Sequence, residues 1–153
     1  MAYYSRKLKM PFQDILNKVI QNLQVQGFGI VTTIDVQANV RENLNLPFRN
    51  YKILGAYNSK FAYKAISMES HAGVMLLCNV VVQEHEDGAT EVSAINPLEN
   101  LAGPFSMTRL VDLAIETGIR LRAALDYLNR DLPDADKEVL PADEFRICDI
   151  IQG

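Results

Sequence analysis

Apolar residues recur near the start of the chain with the two periods that distinguish strands from helices. Residues Tyr3–Met10 alternate between apolar and polar positions, which predicts a first strand. From residue 12 to residue 23 the apolar side chains return every three or four positions, which predicts one face of an amphipathic helix. Pro11 separates the two patterns, and Gly27 provides the residue type that favours a left-handed helix end. We therefore expect a strand followed by a helix.

A second strand and a short helix are expected next. The segment Phe28–Asp35 is rich in β-branched residues, which favours a strand, and its alternation places Phe28, Ile30 and Ile34 on one face. The residues that follow predict a short helix over Val36–Asn45.

The middle of the chain predicts a strand, a turn and a helix in direct succession. Tyr51–Ala56 reads as a short strand, and Asn58 is suited to cap the helix that follows it. The segment Val74–His85 is almost continuously apolar as far as Val82, which predicts a central strand. This apolar run is too short to span a membrane, for which roughly 20 residues are needed.

The last part of the chain predicts a hairpin and a long helix. The pair Asp87-Gly88 favours a tight turn, so Thr90–Ile95 should return beside the preceding strand. A broad apolar stripe over Ser106–Leu128 predicts a helix that packs against a sheet or a partner chain. We expect one domain over residues 1–130 and an acidic extension over 131–153, in which the apolar segment Ile147–Ile151 docks on the domain or a partner subunit.

Composition narrows the class of protein. A chain of 153 residues suits a single domain, and its net charge of −4 argues against binding to a phosphate backbone. Only two cysteines are present, Cys78 and Cys148, and no secretory leader precedes them, so we expect a reduced cytoplasmic protein that binds neither nucleic acid nor membrane.

Two segments carry a resemblance to a known family. They read Ile53-Leu54-Gly55-Ala56-Tyr57-Asn58-Ser59-Lys60 and Leu76-Leu77-Cys78-Asn79-Val80-Val81-Val82. The pair resembles the signature segments of the domain-of-unknown-function 302 family, and the similarity extends over about residues 3–128. This resemblance implies an α+β fold, with an antiparallel sheet and helices packed on one face in a TATA-binding-protein-like arrangement. It also implies a homodimer, but it implies no activity.

The sequence departs from the family pattern at three positions. Tyr57 and Ser59 stand where the family commonly has Cys and Pro, and Leu77 stands where it has Pro. Because only Cys78 remains of the usual cysteine pair, chemistry that needs two thiols is not expected unless Cys148 supplies the second one.

The turn between Gly55 and Lys60 is the best candidate for a binding site. The first turn of a helix leaves N–H groups that can bind a phosphate or carboxylate, although Asn58 can equally serve only as a cap. Cys78 is either an inert buried residue or a thiolate activated by this helix end. The predicted ligand-binding residues are Gly55, Tyr57, Asn58, Ser59, Lys60, Cys78 and Asn79.

Other kinds of site have little support in the sequence. His71 and His85 lack metal-ligand spacing, and no catalytic or cofactor motif is recognisable, so we predict no metal, no cofactor and no catalytic residue. Aromatic residues near the turn, namely Phe48, Tyr57, Phe61 and Tyr63, are suited either to a shallow apolar pocket or to core and dimer contacts.

Three functional hypotheses follow. The first is a homodimeric domain that binds a small molecule or anion near the Gly55–Lys60 turn. The second is a thiol-dependent enzyme or sulfur carrier that uses Cys78. The third is a structural module that acts through its dimer surface or its C-terminal extension.

Overall fold

The structure is a computed structural model that describes residues 2–101 and 108–129. Strands and helices alternate in the first half of the chain, and a long helix ends the described part. The elements are β1 (Tyr3–Leu8), α1 (Phe12–Val25), β2 (Gly29–Asp35), α2 (Val36–Leu44), β3 (Tyr51–Tyr57), α3 (Ser59–Met68), a 3₁₀ helix (Ser70–Met75), β4 (Cys78–Glu84), β5 (Thr90–Ile95), α4 (Pro97–Leu101) and α5 (Thr108–Asp126).

The five strands form one antiparallel sheet in the order β1-β5-β4-β3-β2. Strand β1 forms one edge and β2 forms the other, so the two edges come from the first two strands of the chain. The α+β class and the antiparallel sheet with packed helices, both expected from the sequence, are confirmed.

One face of the sheet holds the main core. Helices α1 and α5 pack together and cover this face, because their apolar stripes meet the inward side chains of the central strands. The core residues include Ile15, Leu16, Val19 and Leu23 of α1, Leu54, Val80, Val82 and Val92 of the sheet, and Leu121 and Leu125 of α5. Full burial of one such side chain is worth about 1.5–3 kcal/mol. The opposite face of the sheet is called the groove face below.

Polar bonds fix the position of α5. The buried Asn22 Nδ2 donates to Ala124 O over 2.9 Å, which joins α1 to α5. The Tyr4 hydroxyl of β1 donates to the Asp126 carboxylate at the end of α5. A second apolar cluster packs α3 and the 3₁₀ helix against the start of the described part of α5, through Phe61, Ala65, Ala72, Leu110 and Leu113.

Two expectations about the strands are wrong. The pairing of β2 with β3 shifts register between Ile30 and Thr32, so Val31 is an extra residue in a bulge. An extra residue reverses the alternation, and Ile34 therefore lies on the groove face while Ile30 packs against the main core. Strand β4 begins at Cys78 instead of residue 74, since the preceding residues form the 3₁₀ helix Ser70–Met75.

The turns agree with their sequence signals. Helix α1 is followed by Gly27 at a φ of +91°, which a side chain would strain. In the β4–β5 hairpin, Gly88 adopts a φ of +81° and its N–H donates to His85 O. The expected extension over residues 131–153, with Cys148 and Ile147–Ile151, lies outside the described residues.

Candidate functional site

The predicted Asn58 turn connects β3 directly to α3. Asn58 is extended, and its side-chain oxygen accepts hydrogen bonds from Lys60 N at 3.1 Å and Phe61 N at 3.2 Å. Asn58 therefore caps its own helix, which is one of the two roles that the sequence analysis left open for it. The cap uses two of the N–H groups that an anion at this helix end would need.

Gly27 lies against the other side of Asn58. A Cβ at position 27 would stand 3.1 Å from Asn58 Nδ2, so a glycine provides both the positive φ and the room for the amide. The end of α1 and the start of α3 are thus fitted to each other at this point.

The thiol of Cys78 is buried on the helix-covered face of the sheet. Cys78 pairs with Ala56 across β3 and β4, and only 5% of the residue is exposed. Burial raises the pKa of this thiol to about 11. A nucleophilic cysteine needs a lowered pKa and access, so these observations favour the inert alternative.

Asn58 and Cys78 line the same small cavity. It has a volume of about 20 Å³ and is closed by Phe28, Phe61, Ala62, Met75, Leu76, Pro97 and Thr117. A cavity of this size holds about one water molecule. The structure therefore brings the two predicted residues together without leaving space for an organic ligand between them.

The other predicted residues lie elsewhere. Gly55, Tyr57 and Asn79 alternate with Ala56 and Cys78 along their strands, so they belong to the groove face. Ser59 and Lys60 are exposed in the first turn of α3. The single site expected from the sequence is thus divided between the two faces of the sheet and the helix end.

Gly55 is required by a close approach on the groove face. A Cβ at this position would lie 2.1 Å from Thr32 Oγ1 of β2 and 3.2 Å from Leu77 Cδ1. Glycine therefore lets two neighbouring side chains close over the strand, which explains why Gly55 is buried although it faces away from α1 and α5.

The groove face carries a much larger depression, called the groove below. Its volume is about 330 Å³, and it runs over β4 and β5 between β1 and β3. An apolar floor is combined with amide, hydroxyl and carboxylate groups. The lining residues are Ala2, Tyr3, Tyr51, Asn79, Val81, Gln83, Glu91, Ser93, Ala94 and Ile95. Of the predicted site residues, Asn79 lines this groove, and its strand partner is Gly55.

A hydrogen-bonded row of polar side chains closes one end of the groove. Arg49 donates through Nε and Nη2 to Gln83 Oε1, at 3.3 Å and 3.0 Å. Gln83 Nε2 donates to Glu91 Oε1 at 3.2 Å, and His85 Nε2 lies 3.2 Å from the same oxygen. The sequence analysis did not predict this row, and it considered His85 only as a possible metal ligand. The Asp87-Gly88 turn predicts a hairpin, and the register of that hairpin places Gln83 opposite Glu91, so the contact between these two side chains could have been expected from the sequence.

The predicted aromatic pocket does not form as one unit. Phe48 lies beside Tyr51, with ring centroids 6.2 Å apart, whereas Phe61 is buried in the second apolar cluster. Tyr63 is 76% exposed and Tyr57 lies on the groove face. Phe61 is therefore a core contact, which is one of the two roles expected for these aromatic residues. The four residues do not all have the same role.

Other features limit the kinds of site that the described residues can form. No group of three or more His, Cys, Asp or Glu side chains within residues 2–101 and 108–129 is placed to hold a metal ion. None of the helices in these ranges combines the length and the apolar character of a membrane-spanning segment.

The architecture defines a small α+β domain whose sheet is covered by two helices on one face and grooved on the other. The chain belongs to the DUF302 family, since the model of this domain of unknown function matches residues 4–128. A similar solved structure is the crystal structure of the uncharacterized conserved protein DUF302 from Bacillus stearothermophilus. Its TM-score is 0.76 at 24% identity, and the match covers 84% of this chain and 99% of that chain. No curated protein matches the chain.

Proposed function

We propose that this domain is a homodimeric binding protein that holds a small molecule in the groove, next to the Gly55–Lys60 turn. The observation that carries the proposal is the groove itself. Its volume of about 330 Å³ lies within the range of small-molecule sites, and its lining combines apolar side chains with a few polar groups. Asn79 connects the groove to the predicted site, because it faces Gly55 across β3 and β4.

The buried thiol supports binding over thiol chemistry. A sulfur carrier or thiol enzyme would need an accessible thiolate, but Cys78 faces the core and its pKa is raised by burial to about 11. Within the described part of the chain, no cysteine lines the groove. We therefore rank the thiol-dependent alternative below the binding function.

The binding proposal can be tested with an uncharged probe. We expect 4-phenylbutanamide to shift the backbone amide NMR signals of Asn79, Val81 and Ser93, which follow the groove floor. The substitution Val81→Phe should abolish these shifts because it fills the groove. Val74→Phe is the matched control, since it adds the same bulk at a residue that is 79% exposed outside the groove. Shifts that are absent in the parent protein, or that persist in Val81→Phe, would contradict the proposal.

The β2 edge supports the homodimer part of the proposal. Six of the seven β2 residues are exposed, Val31 is 57% exposed and Ile34 is 50% exposed, while Asp35 is the only charged residue of the strand. The β1 edge, in contrast, carries Arg6 and Lys7, and such charges discourage pairing between edges. A second copy can pair antiparallel with β2 and extend the sheet without covering the groove, which lies over β4 and β5.

The dimer is tested by light scattering and small-angle X-ray scattering at high micromolar concentration. Val31→Lys should convert the dimer to a monomer because it places two like charges at the shared edge. Val74→Lys should leave the dimer intact, as should deletion of the acidic segment Asp131–Glu138, where like charges would repel each other across an interface. A monomeric parent protein would contradict the homodimer. A dimer that survives Val31→Lys, or one that is lost on the deletion, would contradict the assignment of its surface.

A further inference from the structure

Arg49 contacts two aromatic rings and one side-chain amide beside the groove. Its guanidinium carbon lies 4.7 Å from the centroid of the Phe48 ring and 5.3 Å from that of Tyr51. Its Nε and Nη2 atoms, which lie along one edge of the planar guanidinium, both donate to Gln83 Oε1. These contacts restrict the rotamers of a long side chain before any ligand arrives, so less freedom is lost on binding.

Among the residues that the structure describes, no carboxylate forms an ion pair with Arg49. Arg49 shares a recess of about 460 Å³ with Lys7, His85, Glu86 and Asp87. Within the described part of the chain, however, Lys7 pairs with Asp87 at 3.4 Å, His85 contacts Glu91, and the only polar partner of Arg49 is the neutral amide of Gln83. The remaining N–H groups of the guanidinium include an outer pair on Nη1 and Nη2, which is the geometry that binds a carboxylate through two oxygens.

The recess adjoins the groove across the hydrogen-bonded row of polar side chains. Gln83 lines the groove and accepts the hydrogen bonds of Arg49, while Glu91 lines the groove and contacts His85 of the recess. A molecule whose apolar part lies over Val81 and Ile95 would reach Arg49 by extending over the side chain of Gln83. We propose that Arg49 binds the acidic group of the groove ligand and that this ligand is a monocarboxylic acid with an apolar body.

The neighbouring charges favour a carboxylate over a phosphate. Asp87 is paired with Lys7, but Glu86 also lines the recess, so a dianion would meet more repulsion from Glu86 than a monoanion would. A planar carboxylate also matches the flat edge of the guanidinium. This inference rests on the proposed groove function, because Arg49 is placed to recognise the end of a molecule whose remainder occupies the groove.

A set of matched probes tests the inference. The probes are 4-phenylbutanoate, its uncharged amide 4-phenylbutanamide, and 3-phenylpropyl phosphate, and their dissociation constants are measured from amide NMR shifts. We expect the acid to bind about fivefold more tightly than the amide, because one charge-assisted contact at an exposed arginine is a modest contribution. The phosphate should bind more weakly than the carboxylate, and addition of the acid should also shift the Arg49 Nε signal.

The substitution Arg49→Gln should reduce the preference for the acid to within about twofold and leave the affinity for the amide unchanged. Arg41→Gln is the control, since it removes the same charge from the exposed last turn of α2. Three results would overturn the Arg49 inference and leave the proposed groove function standing. They are an acid that binds no better than the amide, a preference for the acid that survives Arg49→Gln, and an acid that shifts the signals of Ser59 and Lys60 instead. If neither probe binds, the groove function itself fails.

Discussion

Alkylation of Cys78 should be at least about one hundredfold slower in the folded domain than in the unfolded chain at pH 8. Only the thiolate reacts with iodoacetamide at a useful rate. Burial raises the pKa of the Cys78 thiol from an ordinary value of 9.0 to about 11. At pH 8 the thiolate fraction is then roughly one tenth in the unfolded chain and roughly one thousandth in the folded domain, which gives the factor of about one hundred.

Steric exclusion should slow the reaction further, because only 5% of Cys78 is exposed and its cavity has a volume of about 20 Å³. The assay follows iodoacetamide incorporation by mass spectrometry in a Cys148→Ser background, so that one thiol is counted. The unfolded rate is measured in a denaturing concentration of urea. A folded rate within tenfold of the unfolded rate would refute the burial argument and restore the thiol-dependent hypothesis.

The same pKa shift affects stability at high pH. The folded pKa of Cys78 lies above the unfolded pKa, so the folded state holds its proton longer. The associated stability is fully present below about pH 9 and is lost as the pH rises through about 11. A shift of about two units corresponds to on the order of 2–3 kcal/mol. Urea unfolding should therefore show that the stability difference between the parent protein and Cys78→Ala narrows over this range, and a constant difference would contradict it.

Three further changes test the packing around the signature segments and the C-terminal extension. Asn58→Ala should lower the free energy of unfolding by about 1 kcal/mol in urea titration, because the α3 cap is lost, and an unchanged value would mean that the cap is unimportant. Gly55→Ala should lower the free energy of unfolding by about 1–3 kcal/mol, because the new Cβ would stand 2.1 Å from Thr32 Oγ1. Adding Thr32→Ala should recover part of this loss. An equal loss in the single and the double variant would reject the close-approach argument. Truncation after Arg130 should increase binding of a hydrophobic dye if Ile147–Ile151 docks on the domain, and unchanged stability and dye binding would show that the extension is dispensable.

Local patterns predicted the elements that depend on local physics. The stripe of α1, its end at Gly27, and the Asp87-Gly88 hairpin all follow from residues that lie close together in the sequence. The face of Ile34 could not be predicted in this way. It depends on the bulge at Val31, and that bulge is a property of the pairing between β2 and β3.

The signature segments did not determine the geometry around Asn58 and Cys78. The sequence left Cys78 either inert or activated by the helix end at Asn58, and the structure places both residues in the lining of one cavity. The size of that cavity, about 20 Å³, also depends on three distant parts of the chain, which contribute Phe28, Pro97 and Thr117. No local pattern contains this information, so the expected ligand site at this point could not be judged from the sequence.

The Arg49 row was missed because it needs a long-range strand register in addition to the local hairpin. Gln83 meets Glu91 through the hairpin, but Arg49 reaches Gln83 only because Tyr51 pairs with Gln83 across β3 and β4. A shift of one residue in that second register would turn every β4 side chain to the other face. The sequence around Arg49 gave no sign of this pairing, although the flanking rings of Phe48 and Tyr51 were visible in it.

The pair Cys78-Asn79 illustrates why a family motif need not describe one site. Neighbouring residues in a strand point to opposite faces, so Cys78 packs into the core while Asn79 lines the groove. A change at Cys78 should therefore act through the free energy of unfolding, whereas a change at Asn79 should act through ligand affinity with little loss of stability. The two positions are adjacent in sequence, yet only the second can contact a molecule in the groove, and it is on that face of the sheet that a function for this domain is to be sought.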